Sequence, residues 1–187
     1  MARMALRLFR TTGHSTLLQV GEARAGLHPL QVVLAVSAWI GVTCNVGLWH
    51  LLLQDGGSVR RVIAASALLA GASGLALSLL AWRRTLKPAA TLLLAAAALL
   101  ACGLWVQELP VEALWTQRPR ALLPGWTAFL RGSVLLMMLV LAVAPIVWVW
   151  QLHLRRLPGQ LQMRATVSGA LVALAALATG ALLLLRA

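Results

Sequence analysis

The chain has 187 residues, 61% of them hydrophobic and 11% charged, with a mean hydropathy of +0.88. Soluble domains run near half apolar, and one of this length has no core large enough to hide the excess. Much of its surface is therefore expected to face lipid. Sixteen basic residues against four acidic ones give a net charge of +12. Nucleic-acid binding would call for a basic stripe with interleaved aromatics. Here the basic residues sit at the ends of apolar runs instead, where headgroup attraction and topology control account for them.

The first apolar run begins too late and runs too long for a simple cleaved signal. It reads as a retained span behind a basic cytoplasmic tail, residues 1–29. In that tail Arg3, Arg7 and Arg10 alternate with Leu6, Leu8 and Phe9, as in either a short surface helix or a disordered segment. Residues 30–187 then form an all-α membrane domain of five spans, at about 30–53, 62–82, 89–106, 132–152 and 165–185. Each span is near the 20 or so apolar residues that a bilayer requires of a helix. The runs are unbroken and lack in–out alternation, which argues against a barrel. Cys44 and Cys102 lie inside apolar runs without a second ligand at metal spacing and read as small buried hydrophobes. Trp39 and Trp49 lie within the first run. Trp82, Trp105, Trp148 and Trp150 fall at or near span ends and read as interface anchors. Pro145 should kink the fourth span and free backbone carbonyls that neighbours must satisfy.

The 107–131 connection is too polar to span and too apolar to float. An interfacial amphipathic helix fits it, from about Val111 to Trp115, broken near Pro119 and resumed after Pro124. Five spans put the two ends of the chain on opposite faces. One face collects Arg3, Arg7, Arg10, Arg24, Arg83, Arg84, Lys87, Arg155, Arg156 and Arg164, ten in all. The other holds Arg60, Arg61, Arg118, Arg120, Arg131 and Arg186, six in all. The positive-inside rule puts the ten in the cytoplasm, with the long loop and the C-terminus in the periplasm of a bacterial inner membrane.

Little in the sequence could carry catalysis. There is no phosphate loop, no HExxH, no GxSxG and no paired-Cys site. His14, His28, His50 and His153 are too scattered to make a metal site. No acid or base sits deep in a span, which counts against a transporter, as does the absence of inverted repeats. No catalytic, cofactor-binding or metal residue is expected in this chain. The candidate lipid-contact residues are Asn45, Glu112 and Trp115. Asn45 either makes an interhelical hydrogen bond or meets a headgroup near the outer end of its span. Glu112 either caps the loop helix, where the dipole favours an anion, or faces a lipid ammonium group.

Three stretches together resemble a known family. They are TCNVGLWHLL at Thr43–Leu52, VEALWTQRPRALLPGW at Val111–Trp126 and VLAVAPIVWVWQLHLRR at Val140–Arg156. Their order is similar to that of the N-terminal membrane domain of bacterial lipid A phosphoethanolamine transferases. There the first span closes on Asn–x–x–Leu/Phe–Trp/Phe, an outer loop helix carries a glutamate, and the fourth span bears a proline and a basic exit. The resemblance implies a membrane-anchoring, lipid-facing domain with phosphatidylethanolamine as a lipid partner. It also implies a periplasmic, sulfatase-like, zinc-binding catalytic domain that modifies lipopolysaccharide, a change associated with polymyxin resistance. The zinc and the threonine nucleophile of that domain would lie beyond Ala187, so none of its sites carries over. The family glutamate matches Glu112. The asparagine that it carries eight residues earlier, a position associated with the donor lipid, is Leu104 here. An alternative is a stand-alone inner-membrane scaffold or regulatory protein.

Overall fold

The computed structural model describes residues 26–54, 58–80, 85–107, 123–154 and 159–186. Its named elements are all helical, and five helical stretches are long and apolar enough to cross a membrane: Pro29–His50, Val59–Leu79, Leu86–Val106, Gly132–Gln151 and Gln160–Leu185. The first stretch comprises α1 (Pro29–Val42) and the start of α2 (Val46–Gln54). The second is α3 (Val59–Leu79), and the third lies in α4 (Leu86–Gln107). The fourth follows a 3₁₀ turn (Trp126–Leu130) and is built from α5 (Gly132–Met138), a π-helical segment (Leu139–Val143) and α6 (Ala144–Gln151). The fifth lies in α7 (Gly159–Leu185). The tail up to residue 25 and the expected loop helix at Val111–Trp115 lie outside the described residues.

His28 starts α1. Its Nδ1 accepts from the Leu30 amide at 3.3 Å, and its own amide donates to Gln31 Oε1 at 3.2 Å, a reciprocal cap with Pro29 at the first helical position. Just before it, the Leu27 amide donates to the His153 carbonyl at 2.9 Å, tying the start of the first span to the end of the fourth.

Three helices begin earlier than their apolar runs: α3 at Val59, α4 at Leu86 and α7 at Gly159, against the expected 62, 89 and 165. Arg60 and Arg61, Lys87 and Arg164 mark the ends of the apolar runs, yet the helices carry them in their opening turns. Long basic side chains tolerate this because the stem packs along the helix while the head reaches polar surroundings. Two of them also find specific work. Lys87 Nζ donates to the carbonyls of Trp150 at 3.0 Å and Leu152 at 2.9 Å, and Arg60 Nη1 donates to the Arg186 carbonyl at 3.2 Å. Each cation satisfies carbonyls at the C-terminal end of a neighbouring helix, groups that the helix itself leaves without partners.

The core forms between spans one, three and four. One apolar cluster joins Val32, Val36 and Ile40 of α1 to Leu86, Ala90 and Leu94 of α4, with Leu77 of α3 and Val149 of α6. A second joins Cys44 to Ala98 and Ala101 of α4 and to Leu141 and Ala142. The buried positions of α4 recur every four residues, from Leu86 through Ala90 and Leu94 to Ala98, and so fall on one helix face. Cys44 and Cys102 are both buried, as their sequence context predicts. The first span's apolar window is 50% buried and the fifth's only 17%, so the first is central and the fifth peripheral.

The fifth span meets the second through backbone proximity. A Cβ on Gly71 would fall 2.8 Å from both the Ala173 carbonyl and the Leu177 amide. One on Gly180 would fall 2.9 Å from the Ala64 carbonyl. Small residues that let helices approach this closely are how packing is achieved where lipid removes the hydrophobic driving force. Gly71→Ala or Gly180→Ala should therefore lower stability in micelles by about 1–3 kcal/mol, as overpacking does. Gly132→Ala, with nothing within 4 Å of the added carbon, should leave it unchanged or slightly raised. Thermal unfolding of the three variants in one detergent checks the contrast.

Candidate functional site

The apolar spans contain two interruptions, and the polar chemistry of the bundle gathers around them. The first is the turn Thr43–Asn45 between α1 and α2. A helix that ends among apolar side chains, away from water, leaves its last carbonyls without amides. The Trp39 carbonyl accepts from the Thr43 amide at 2.8 Å and from the Thr43 hydroxyl, while the Gly41 carbonyl accepts from Asn45 Nδ2 at 2.8 Å. The turn lies against α3, where a Cβ on Gly41 would meet the Ala70 Cβ at 2.6 Å and the Ser66 carbonyl at 2.8 Å. Asn45 itself is 6% exposed, so it presents little surface to a headgroup, and its hydrogen bond stays within its own span rather than crossing to another helix.

Beyond the turn, Trp49 Nε1 donates to Ser66 Oγ at 2.8 Å, and the Ser66 hydroxyl donates to the Val62 carbonyl at 2.8 Å. His50 and Trp105 stack at a tilt, with ring centroids 5.2 Å apart. Leu104, the position where the resemblance would place an asparagine, packs its Cβ toward Gly47: a Cβ there would lie 3.2 Å away. The side chain thus begins at a helix–helix contact with the first span. Glu112 and Trp115, the other two candidate lipid contacts, lie outside the described residues. The described histidines divide between the two ends of the bundle. His28 and His153 sit at one, and His50 at the other. Among the described residues no group of three His, Cys, Asp or Glu is placed to hold a metal ion.

The second interruption was foreshadowed by Pro145. Proline has no N–H to offer the carbonyl four residues earlier, which belongs to Leu141. The chain passes that point as a π-helical segment, Leu139–Val143, in which the Ala144 amide reaches back to the Leu139 carbonyl. Trp39 Nε1, 102 residues away in sequence, donates to the Leu141 carbonyl at 3.3 Å. Trp39 therefore serves both breaks, its carbonyl at the first and its indole at the second. A freed carbonyl follows from Pro145 alone. Trp39 lies within the first run, and nothing in the sequence pairs it with Leu141.

Between α1 and the start of α6 the same residues leave an apolar cavity of about 420 Å³, lined by Ala35, Val36, Trp39, Ala144, Pro145 and Trp148. Nothing in the sequence pattern marked this space, because its walls come from two spans and consist of ordinary apolar residues. At the end of the bundle nearest to it, Trp150 Nε1 donates to Thr91 Oγ1 at 3.1 Å, and Lys87 Nζ lies 5.8 Å from the Trp150 ring centroid. Trp105, Trp148 and Trp150 are all exposed near span ends, the surroundings expected of interface anchors.

No family model, curated protein or solved structure matches the chain.

The Trp39–Leu141 contact is testable as a coupled pair. Trp39→Phe should destabilise the protein by about 1 kcal/mol through the unmet carbonyl. Pro145→Ala supplies a new amide to that carbonyl, so the hydrogen-bond part of the Trp39→Phe loss should vanish in the double variant. A double-mutant cycle by thermal unfolding measures the coupling directly. Equal losses in both backgrounds would show that the indole contact contributes nothing.

Proposed function

We propose that the chain is a membrane-embedded anchor, the lipid-facing domain of a phosphoethanolamine-transferase-like system acting on lipid A. In this reading the tail, the 83–88 connection and the 153–164 connection lie in the cytoplasm. The 107–131 loop and the C-terminus lie in the periplasm of an inner membrane.

One observation carries the anchoring part. The buried polar residues of the spans, Ser37, Asn45, Ser73 and Ser78, each donate to a backbone carbonyl three or four residues earlier in their own span. Polar groups that line a pathway or hold a substrate face a cavity or one another. These are turned onto their own backbone, which suits a rigid support. The lipid A part rests on the order of the three resembling stretches. The loop residues Glu112 and Trp115 would meet phosphatidylethanolamine at the outer surface, and zinc would belong to the catalytic domain that this anchor serves.

The test supplies a soluble catalytic domain of this transferase type to cells with and without the chain and reads lipid A by mass. Phosphoethanolamine addition should depend on the chain and fall with Glu112→Ala or Trp115→Ala. Equal modification without the chain would sink the lipid A reading. Reporter tags on the two ends should report opposite compartments, and the same compartment for both would overturn the five-span arrangement.

A further inference from the structure

We propose that the Trp39–Pro145–Trp148 cavity is a binding site for one acyl chain of an anionic glycerophospholipid, seated in the cytoplasmic half of the bundle. The site is separate from the outer loop and needs no catalytic partner. It does rest on the membrane placement given above.

Three features define the occupant. The first is the lining. All six lining residues present apolar surface, and the one polar hydrogen on Trp39 is already committed to the Leu141 carbonyl. A ligand needing several hydrogen bonds would find only the Trp148 indole N–H at the mouth, whereas a hydrocarbon chain needs none. The volume of about 420 Å³ is also within the usual range of small-ligand sites.

The second is the depth. Trp39 lies ten residues after Pro29, and Trp148 three residues before Gln151. At about 1.5 Å per residue the cavity runs from roughly 15 Å inside the bundle to within about 5 Å of its end. Trp148 is exposed, and its indole N–H has no hydrogen-bond partner among the described residues. It stands at the depth where glycerol ester carbonyls lie, with a donor to offer them.

The third is charge. At this end of the bundle the described residues carry the cations Lys87 and Arg164 and no acid. An anionic headgroup above the cavity meets that charge, and a zwitterionic one gains less.

The cavity persists because its walls cannot close over it. The fourth span is wound as a π-helix beside it, and the Trp39 indole is pinned to the Leu141 carbonyl. Ala35 and Ala144 supply the smallest walls and are exposed on the lipid side, so larger side chains there fill the space without disturbing the core.

The experiment uses the full chain purified in detergent and native mass spectrometry, with phosphatidylglycerol added against phosphatidylcholine of the same chains. The wild type should retain one phosphatidylglycerol, with about fivefold preference over phosphatidylcholine. Ala35→Phe and Ala144→Phe should lose the bound lipid while unfolding at the wild-type temperature. Trp148→Phe should weaken retention roughly threefold, as loss of one hydrogen bond does. Val172→Phe, on the exposed face of α7, should retain lipid as the wild type does. The proposal falls if the Phe variants retain phosphatidylglycerol normally, if Val172→Phe loses it equally, or if the two lipids are held alike. Should Ala35→Phe and Ala144→Phe fail to fold, unchanged retention in Trp148→Phe overturns the proposal by itself.

Discussion

Hydrocarbon offers a peptide group nothing to bond to, and every break in a transmembrane helix must be repaired from within the protein. Among the described residues the spans are interrupted twice, and Trp39 makes a hydrogen bond at each interruption. Its carbonyl receives the Thr43 amide and hydroxyl where the first span turns, and its indole reaches the Leu141 carbonyl where Pro145 withholds an amide. A single residue thus fixes the relative height of two spans. That is a stronger constraint than apolar packing, which is non-directional and tolerates sliding.

Around that tie the bundle is held in two different ways. Spans one, three and four bury interlocking apolar side chains. Span five instead lies against span two with glycines at the contact, so that backbone nearly touches backbone. The ends are closed by cations from neighbouring helices: Lys87 on the last carbonyls of α6, and Arg60 on the carbonyl just beyond α7. The same rule operates at both scales. Peptide groups released by a helix end or a proline are met by a side chain from an adjacent element.

The five long apolar helices were legible because an unbroken apolar run of this length, in lipid, has one structural solution. The freed carbonyl behind Pro145 was legible for the same reason, since it follows from one missing N–H. The span starts were not. Arg60, Lys87 and Arg164 end the hydropathy signal, but they do not end a helix when their heads have carbonyls or headgroups to reach. The turn at Thr43–Asn45 was missed because it contains neither proline nor glycine. What permits it is that Thr43 and Asn45 carry their own donors to the carbonyls they expose. Asn45 was singled out as the polar residue of interest, but for bonds to other helices or to lipid, and its bond to Gly41 within the same span is a local event that sequence periodicity does not distinguish. The cavity was invisible altogether, being a property of two helices 100 residues apart rather than of any segment.

The same breaks that demanded repair also shaped the surface between α1 and α6. An uninterrupted fourth helix would carry a regular row of side chains past α1, and the two would pack along their length. A π-helical turn followed by proline shifts that row out of register, and the indole that bonds the released carbonyl holds the shifted arrangement open. Replacing Pro145 with an ordinary residue would therefore do more than mend a hydrogen bond. It would remove the reason for the π-helical segment and allow α6 to settle against Ala35 and Val36. In this protein the defect in the helix and the space beside it have a common cause, which is why one tryptophan both repairs the backbone and walls the cavity.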